Sequence, residues 1–436
     1  MTQFSPAVTH APPDAGSIAP RPRTLQDTGL GLHFIAELVA KHLYQGGVLS
    51  LSQLTERLAL TSPILEPVLN FLRKEARIEV LGGAGGDINL RYALTDRGRS
   101  WALEALFKSG YVGPAPVPLE AYKNIVRAQS VHRQVVTKTA MREAFAGMVI
   151  RESLLDQLGP ALHSGRAIFV YGPPGTGKTY VSQHLAGLLG EAVLIPYAIA
   201  IEETVVQLFD PVLHQPLSKP AAVRELIVEQ GYDPRFILCR RPAVLTGGEL
   251  TLDMLELQYD AAHKVYRAPL QLKATNGLYL LDDLGRQRMA PFELLNRWIV
   301  PMETKLDYLT LGSGQRFPVL FDVVLIFSTN LNPLELADEA FLRRLGYKIY
   351  FDYLNPKEYE MIWRQTCEQQ EIPYETDMLA YLLENFYARS QTPLLPCHPR
   401  DLLGLVADHC RYRGKPVQAT QESIASAWES YFIKLQ

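Results

Sequence analysis

The chain has 436 residues, 47% of them hydrophobic and 20% charged, which excludes a small stapled scaffold and a chain dominated by disorder, and leaves room for two or three cored domains. Lys and Arg number 43 against 46 Asp and Glu, a formal net charge of -3, which excludes a generally basic nucleic-acid binder. Cys239, Cys367, Cys397 and Cys410 form no CxxC pair, as suits reduced thiols, and no apolar run approaches the roughly 18 to 20 residues of a membrane span, so a cytoplasmic protein is expected.

Residues 1–25 hold Pro6, Pro12, Pro13, Pro20 and Pro22 among small residues, with no helical or strand period, and are expected to be a disordered tail. A compact helical pattern follows over residues 26–110. LGLHFIAELVAKHLY has apolar 3.6-residue spacing up to Gly46-Gly47, and SLSQLTERL comes next. Ser62-Pro63, an N-cap with proline at the first helical position, opens PILEPVLNFLRKEA. RIEVL and INLRYALT read as strands around a Gly-rich turn, GGAGGD, with a last helix from about Arg97 to Lys108. This order resembles a winged helix-turn-helix. Basic and acidic residues balance over residues 27–110, and Glu66 and Pro67 stand where a DNA reader would place contacts to phosphates or bases. An interaction or oligomerisation module is therefore expected over a DNA-binding one. YVGPAPVPLE opens a Pro-rich linker, residues 111–130, expected to be extended and semi-rigid.

AIFVYGPPGTGKTYVSQHLAGLL sets an apolar strand, Ala167 to Tyr171, before a glycine loop and an amphipathic helix. Gly172, Pro173, Pro174, Gly175, Thr176, Gly177, Lys178 and Thr179 fit GxxxxGK[ST] at every fixed position. Glycines let backbone amides curl around phosphates at a helix N-terminus; Lys178 is expected to reach the β and γ oxygens of ATP, and the Thr179 hydroxyl to ligate Mg2+. Further on, NGLYLLDDLGRQ gives a second buried strand that ends in two carboxylates. Asp282 is expected to hold Mg2+ through water. Asp283 stands where most such ATPases carry the Glu that activates the attacking water. Aspartate is one methylene shorter, which points to slow hydrolysis or to a nucleotide-dependent switch.

From about residue 140 to the end, the chain resembles the AAA+ ATPases in motif after motif and in their order. DVVLIFSTNLNP ends at Asn330, which corresponds to sensor 1, the polar side chain that positions the lytic water. LADEAFLRRLGYKIYF puts Arg343 and Arg344 where that family carries its arginine finger. Such a cation acts on the γ-phosphate of a neighbouring subunit, so the resemblance implies a homo-oligomeric, hexameric ring. CHPRDLLGLVADHC resembles the start of the sensor 2 helix, with Arg400 leaning from the lid onto the phosphates; a structural ion pair is the alternative for each arginine. His398 and His409 flank Arg400 without the spacing of a zinc site.

Before the second carboxylate strand, Leu257 to Ala268 matches in layout the pore hairpin of enhancer-binding activators and MoxR-like ATPases, with Tyr259, His263, Lys264 and Tyr266 as gripping side chains. The other reading of that stretch is an elaboration packed on its own sheet. NPKEYEMIWRQTCEQQ and TQESIASAWESYFIKL are amphipathic and fit a helical lid; in the second, Glu422, Ser423, Ser426 and Glu429 form the polar side. GGELTLDML, LDDLGRQR, NRWIVP and FSTNLNP also look like a group of bacterial AAA+ ATPases with an N-terminal winged helix, a resemblance that brings no substrate with it.

The expected architecture is α/β: a P-loop AAA+ domain over residues 131–355, with a mostly parallel sheet between helices, a helical lid over residues 356–436, and the N-terminal winged-helix domain. The expected function is ATP hydrolysis to remodel or assemble an unidentified protein partner, without membrane insertion. The alternatives are a DNA-associated AAA+ ATPase and a slow nucleotide-gated scaffold.

Overall fold

The computed structural model describes residues 15–82, 90–190, 192–217, 231–336 and 338–432. Residues 1–14 of the expected tail and 83–87 of the glycine-rich turn lie outside them. The chain folds as two compact units, one from Met1–Val135, Ala186–Leu280 and Gln287–Leu325, the other from Val136–Leu185, Leu281–Arg286 and Ile326–Gln436. These units do not follow the linear domains expected from the sequence, because segments far apart in the chain pair within each. Among the described residues no helix is long and apolar enough to cross a membrane, and all four cysteines are free.

In the first unit, helices Leu32–Gly46, Leu51–Leu58 and Ser62–Lys74 are followed by Asp96–Lys108. They enclose an antiparallel sheet in which Arg91–Leu94 pairs with Leu49–Ser50 on one edge and Ile78–Leu81 on the other. Ile35, Val39, Leu43, Leu54, Leu58, Ile64, Val68 and Leu72 recur at helical spacing and are buried together. Ser50 and Gln53 form a capping box at the second helix. The third begins one residue earlier than expected, with Thr61 as N-cap and Ser62 already helical.

The segment after residue 110 is not a free spacer. Tyr111 is buried with its hydroxyl donating to Pro114 O at 2.7 Å, and Ala115 N donates to Leu58 O at 2.8 Å. Val117–Pro118 then pairs in parallel with Ala198–Ile201, and Leu119–Ala128 is a helix whose Tyr122, Ile125 and Val126 enter the core. The strand pairing and that apolar face override the proline-rich local composition.

The start of the described chain is likewise tied down. Ala15–Ile18 is helical, Ala19 is buried, and Asp233 N donates to Ala19 O at 2.9 Å. Arg235 and Asp233 form an ion pair with side chains 4% and 5% exposed. The guanidinium also donates to Thr28 O at 2.9 Å and Pro116 O at 3.3 Å. Residues 15–25 therefore depart from the expected disorder, for a long-range reason that their own composition does not carry.

The stretch compared with a pore hairpin is a hairpin, but it belongs to the unit's own sheet, in the order Gln258–Asp260, Val265–Arg267, Thr204–Gln207, Ala198–Ile201, Val117–Pro118. Lys264 Nζ lies 3.7 Å from the Phe107 ring centroid, His263 pairs with Asp260, and the Tyr266 hydroxyl accepts from Gly312 N at 2.9 Å. All four residues read as gripping side chains are thus engaged within the unit, for Tyr259, though 52% exposed, has its ring centroid 4.9 Å from that of Tyr266.

In the second unit the buried strand Ile168–Tyr171 pairs in parallel with Ile326 to Thr329 on one edge and with Tyr347–Tyr350 on the other, so that Ile168 lies opposite both Ile326 and Tyr347. Near-continuous apolar runs are what strands covered on both faces require. The lid helices of the second unit are Pro356–Gln369, Thr376–Leu382, His398–Tyr412 and Gln421–Tyr431, around Tyr359, Trp363, Leu379, Leu403 and Val406. Ser423, read as part of a polar face, is instead buried and closes a capping box with Thr420. The widened turn Leu383–Tyr387 sets the Tyr387 hydroxyl 2.9 Å from that of Tyr359 and 2.8 Å from His398 Nδ1.

Arg235→Met keeps most of the side-chain volume and leaves the Asp233 carboxylate buried without its partner. Its unfolding free energy in urea is expected to fall by about 3 to 5 kcal/mol. A loss under about 1 kcal/mol would remove the ion pair as the anchor. Burial pushes the His398 pKa down from 6.5 to about 4. A lowered folded-state value means that the unfolded chain binds the proton first, so this contribution is present above about pH 6.5 and is lost as pH falls toward about 4. The melting temperature of the wild type is expected to drop across that window, and that of His398→Phe to drop less.

Candidate nucleotide-binding site

The strand Ile168–Tyr171 delivers the chain into a loop that side chains could not follow. Gly172 has φ +138°, and a Cβ there would lie 2.2 Å from Phe351 O. Gly175 and Gly177 are also left-handed, at φ +78° and +87°. Helix Lys178–Gly187 begins at the end of the loop, so its first amide groups lie where helices leave donors without intrahelical partners.

Lys178 is 5% exposed, and its ammonium donates to Gly172 O at 2.9 Å and Pro173 O at 2.7 Å. Burial lowers its pKa to about 8, against the attraction of Asp282 and Asp283. A buried ammonium in a loop of left-handed glycines that leads into a helix N-terminus suits a polyphosphate anion. The Thr179 hydroxyl donates to Asp282 Oδ2 at 2.6 Å, a pair of hard oxygen donors that suits Mg2+. Among the described residues no cluster of three or more His, Cys, Asp or Glu is placed to hold a metal. A Mg2+ held by Thr179 and Asp282 would therefore take its remaining ligands from phosphate and water, as that ion commonly does.

Asp283 N donates to Asp282 Oδ1 at 3.0 Å, and Asn330 Nδ2 donates to Asp283 Oδ1 at 3.1 Å. Hydrogen bonds thus bring Thr179, Asp282, Asp283 and Asn330 together, and Lys178 lies within electrostatic reach of both carboxylates. The arginines stand differently. Arg343 and Arg344 are exposed in the last turn of Glu339–Arg344, with Arg343 paired to Glu339 at 3.2 Å. Arg400, in the first turn of His398–Tyr412, has a side chain 75% exposed and paired to Asp401 at 3.0 Å.

Leu395, Pro396 and Cys397, just before that helix, were not read as site residues in the sequence, yet they border the loop Gly172–Thr179. A Cβ on Gly175 would lie 2.9 Å from Cys397 Sγ and 3.2 Å from Leu395 Cδ1, and one on Gly177 3.9 Å from Pro396 Cγ. Thr329 was missed as well: its hydroxyl donates to Leu284 O at 2.7 Å, and only its place before Asn330 could have marked it.

Residues 355–430 match a family model described as Domain of unknown function (DUF8689). Comparison with curated proteins returns no match. Solved structures of similar shape include NtrX from Brucella abortus, 14% identical with a TM-score of 0.37 over 68% of this chain, which spans 56% of that one. The Thermotoga maritima RuvB Holliday junction branch migration motor is 14% identical with a TM-score of 0.37, over 64% of this chain and 69% of that one. A point mutant of the same RuvB is 15% identical with a TM-score of 0.40, over 65% and 71%.

Lys178→Ala removes the one ammonium buried in the loop. Its affinity for MgATP, measured by calorimetry, is expected to fall roughly tenfold to a hundredfold, the worth of a charge-assisted hydrogen bond, while the thermal unfolding curve keeps its shape.

Proposed function

We propose that the chain is an AAA+ ATPase that binds MgATP in the loop Gly172–Thr179 and hydrolyses it in an oligomeric ring, hexameric as the resemblance implies. The observation that carries this reading is the pairing of Thr179 with Asp282 and of Asn330 with Asp283 at the mouth of a loop that buries Lys178. Loop amides and Lys178 hold the phosphates, while Thr179 and Asp282 hold Mg2+, which supplies positive charge against that building on the phosphate oxygens. Asp283 takes the proton of the attacking water, which Asn330 orients. Arg343 or Arg344, exposed at a helix end, reaches the γ-phosphate bound by a neighbouring subunit, and Arg400 completes the site from the lid.

The N-terminal elements run helix, short strand, helix, helix, strand, strand, helix, which supports a winged-helix module. With its charges balanced, that module is read as a protein-recruiting element, and the ATPase as a remodeller or assembly factor for a protein partner.

The ring reading is tested by mixing. Arg343→Ala or Arg344→Ala, whichever removes the finger, is expected to keep ATP binding and lose roughly 10³-fold in turnover. Adding Lys178→Ala subunits restores activity, because one subunit then contributes the intact loop and the other the intact arginine. No recovery for either variant, in mixed rings verified by mass photometry, would make both arginines structural.

A further inference from the structure

Two turns leave the carboxyl ends of neighbouring strands: Asp282 to Gly285 after Gly277–Leu281, and Asn330-Leu331 after Val323–Thr329. Thr329, 0% exposed, joins them. Its hydroxyl donates to Leu284 O at 2.7 Å and accepts from Leu331 N at 3.0 Å. Leu284 N in turn donates to Ser328 O at 2.8 Å. Both backbone polar groups of Leu284, the residue after Asp283, are thus held by the pair before Asn330.

This clamp sits behind an unusual backbone. Asp283 has φ +49°, a left-handed conformation that costs most residues energy and that aspartate tolerates better than most. Gly285 follows at φ +100°, so close to the opposite turn that a Cβ would lie 2.7 Å from both Leu331 Cδ1 and Leu336 Cδ2. A conformation of that kind persists only where its surroundings over-determine it. From it the Asp283 carboxylate meets Asn330 at 3.1 Å.

We infer that Thr329 is a positioning residue for Asp283: its hydroxyl locks the Leu284 carbonyl, and so keeps Asp283 in the left-handed backbone that aims its carboxylate. The inference rests on the reading of Asp283 as the base. A general base works only within a few tenths of an ångström of its proper place, so a turn free to relax lowers the chemical step and leaves phosphate binding to Lys178 and Thr179. The clamp also gives the short acid a context. A left-handed position suits aspartate, whereas a longer side chain there lacks the local hydrogen bonding that makes the conformation tolerable.

The test compares Thr329→Val, nearly isosteric without the hydroxyl, with Thr329→Ser, which keeps it, in the full chain with Asp283→Asn as reference. Thr329→Val is expected to lower kcat about tenfold or more, in line with other supporting hydrogen bonds, with the calorimetric Kd for MgATP and the KM within about threefold of wild type. Thr329→Ser is expected to recover most of the lost turnover. Should the valine chain not fold, Thr329→Ala is measured against the same outcomes. If the apparent kcat falls only in proportion to the loss of folded protein, and turnover per folded molecule is unchanged, the hydroxyl is only structural. Unchanged kcat in Thr329→Val beside an inactive Asp283→Asn overturns the positioning role and leaves Asp283 as the base. Turnover that survives Asp283→Asn overturns the base itself, and the inference with it.

Discussion

The strand Ile168–Tyr171 is hydrogen-bonded along both edges by parallel neighbours, and everything at the candidate site follows from that constraint. Tyr171 stands opposite Thr329 on one side and Tyr350 on the other. The residues that come next, Gly172, Asn330 and Phe351, therefore leave the sheet at one level. Parallel neighbours need long crossovers, so the segments of the candidate site are widely separated in the chain and are brought together by register. A one-residue slip would carry Gly172, Asn330 and Phe351 to different levels and exchange side chains of different shape between two packed faces, and the close packing of the buried Phe169, Val170, Ile326 and Phe327 opposes it.

The electrostatics of the loop are set by the same geometry. Burial alone would favour a neutral Lys178, and the nearby Asp282 and Asp283 oppose that tendency. The lysine in turn attracts the two acids.

The candidate loop Gly172–Thr179 is legible in the sequence because its pattern is local: glycine where a Cβ would strike Phe351 O, and an apolar strand before and a helix after. Asp282 and Asp283 are read from the buried apolar strand that precedes them, and Asn330 from its place directly after another buried strand. What local pattern hides is pairing at a distance. Prolines between residues 111 and 118 suggest a spacer, yet Val117 pairs with Ile199. Leu257 to Ala268 matches a projecting hairpin in layout, yet Tyr266 lies opposite Val206 in a sheet three of whose strands come from elsewhere in the chain. The role inferred for Thr329 is invisible for a third reason, because its partner is a backbone carbonyl and leaves no trace in residue type.

The ion pair of Arg235 with Asp233 has a consequence for how the protein is made. Its guanidinium bonds to Thr28 O across a separation of 207 residues. A ribosome adding about 5 to 20 residues per second completes that interval in roughly ten to forty seconds, so the start of the chain emerges long before its docking partner exists. Until then Thr28 and its neighbours lack that donor. Their docking therefore follows synthesis of the segment around residue 235 and is a long-range step in building the unit.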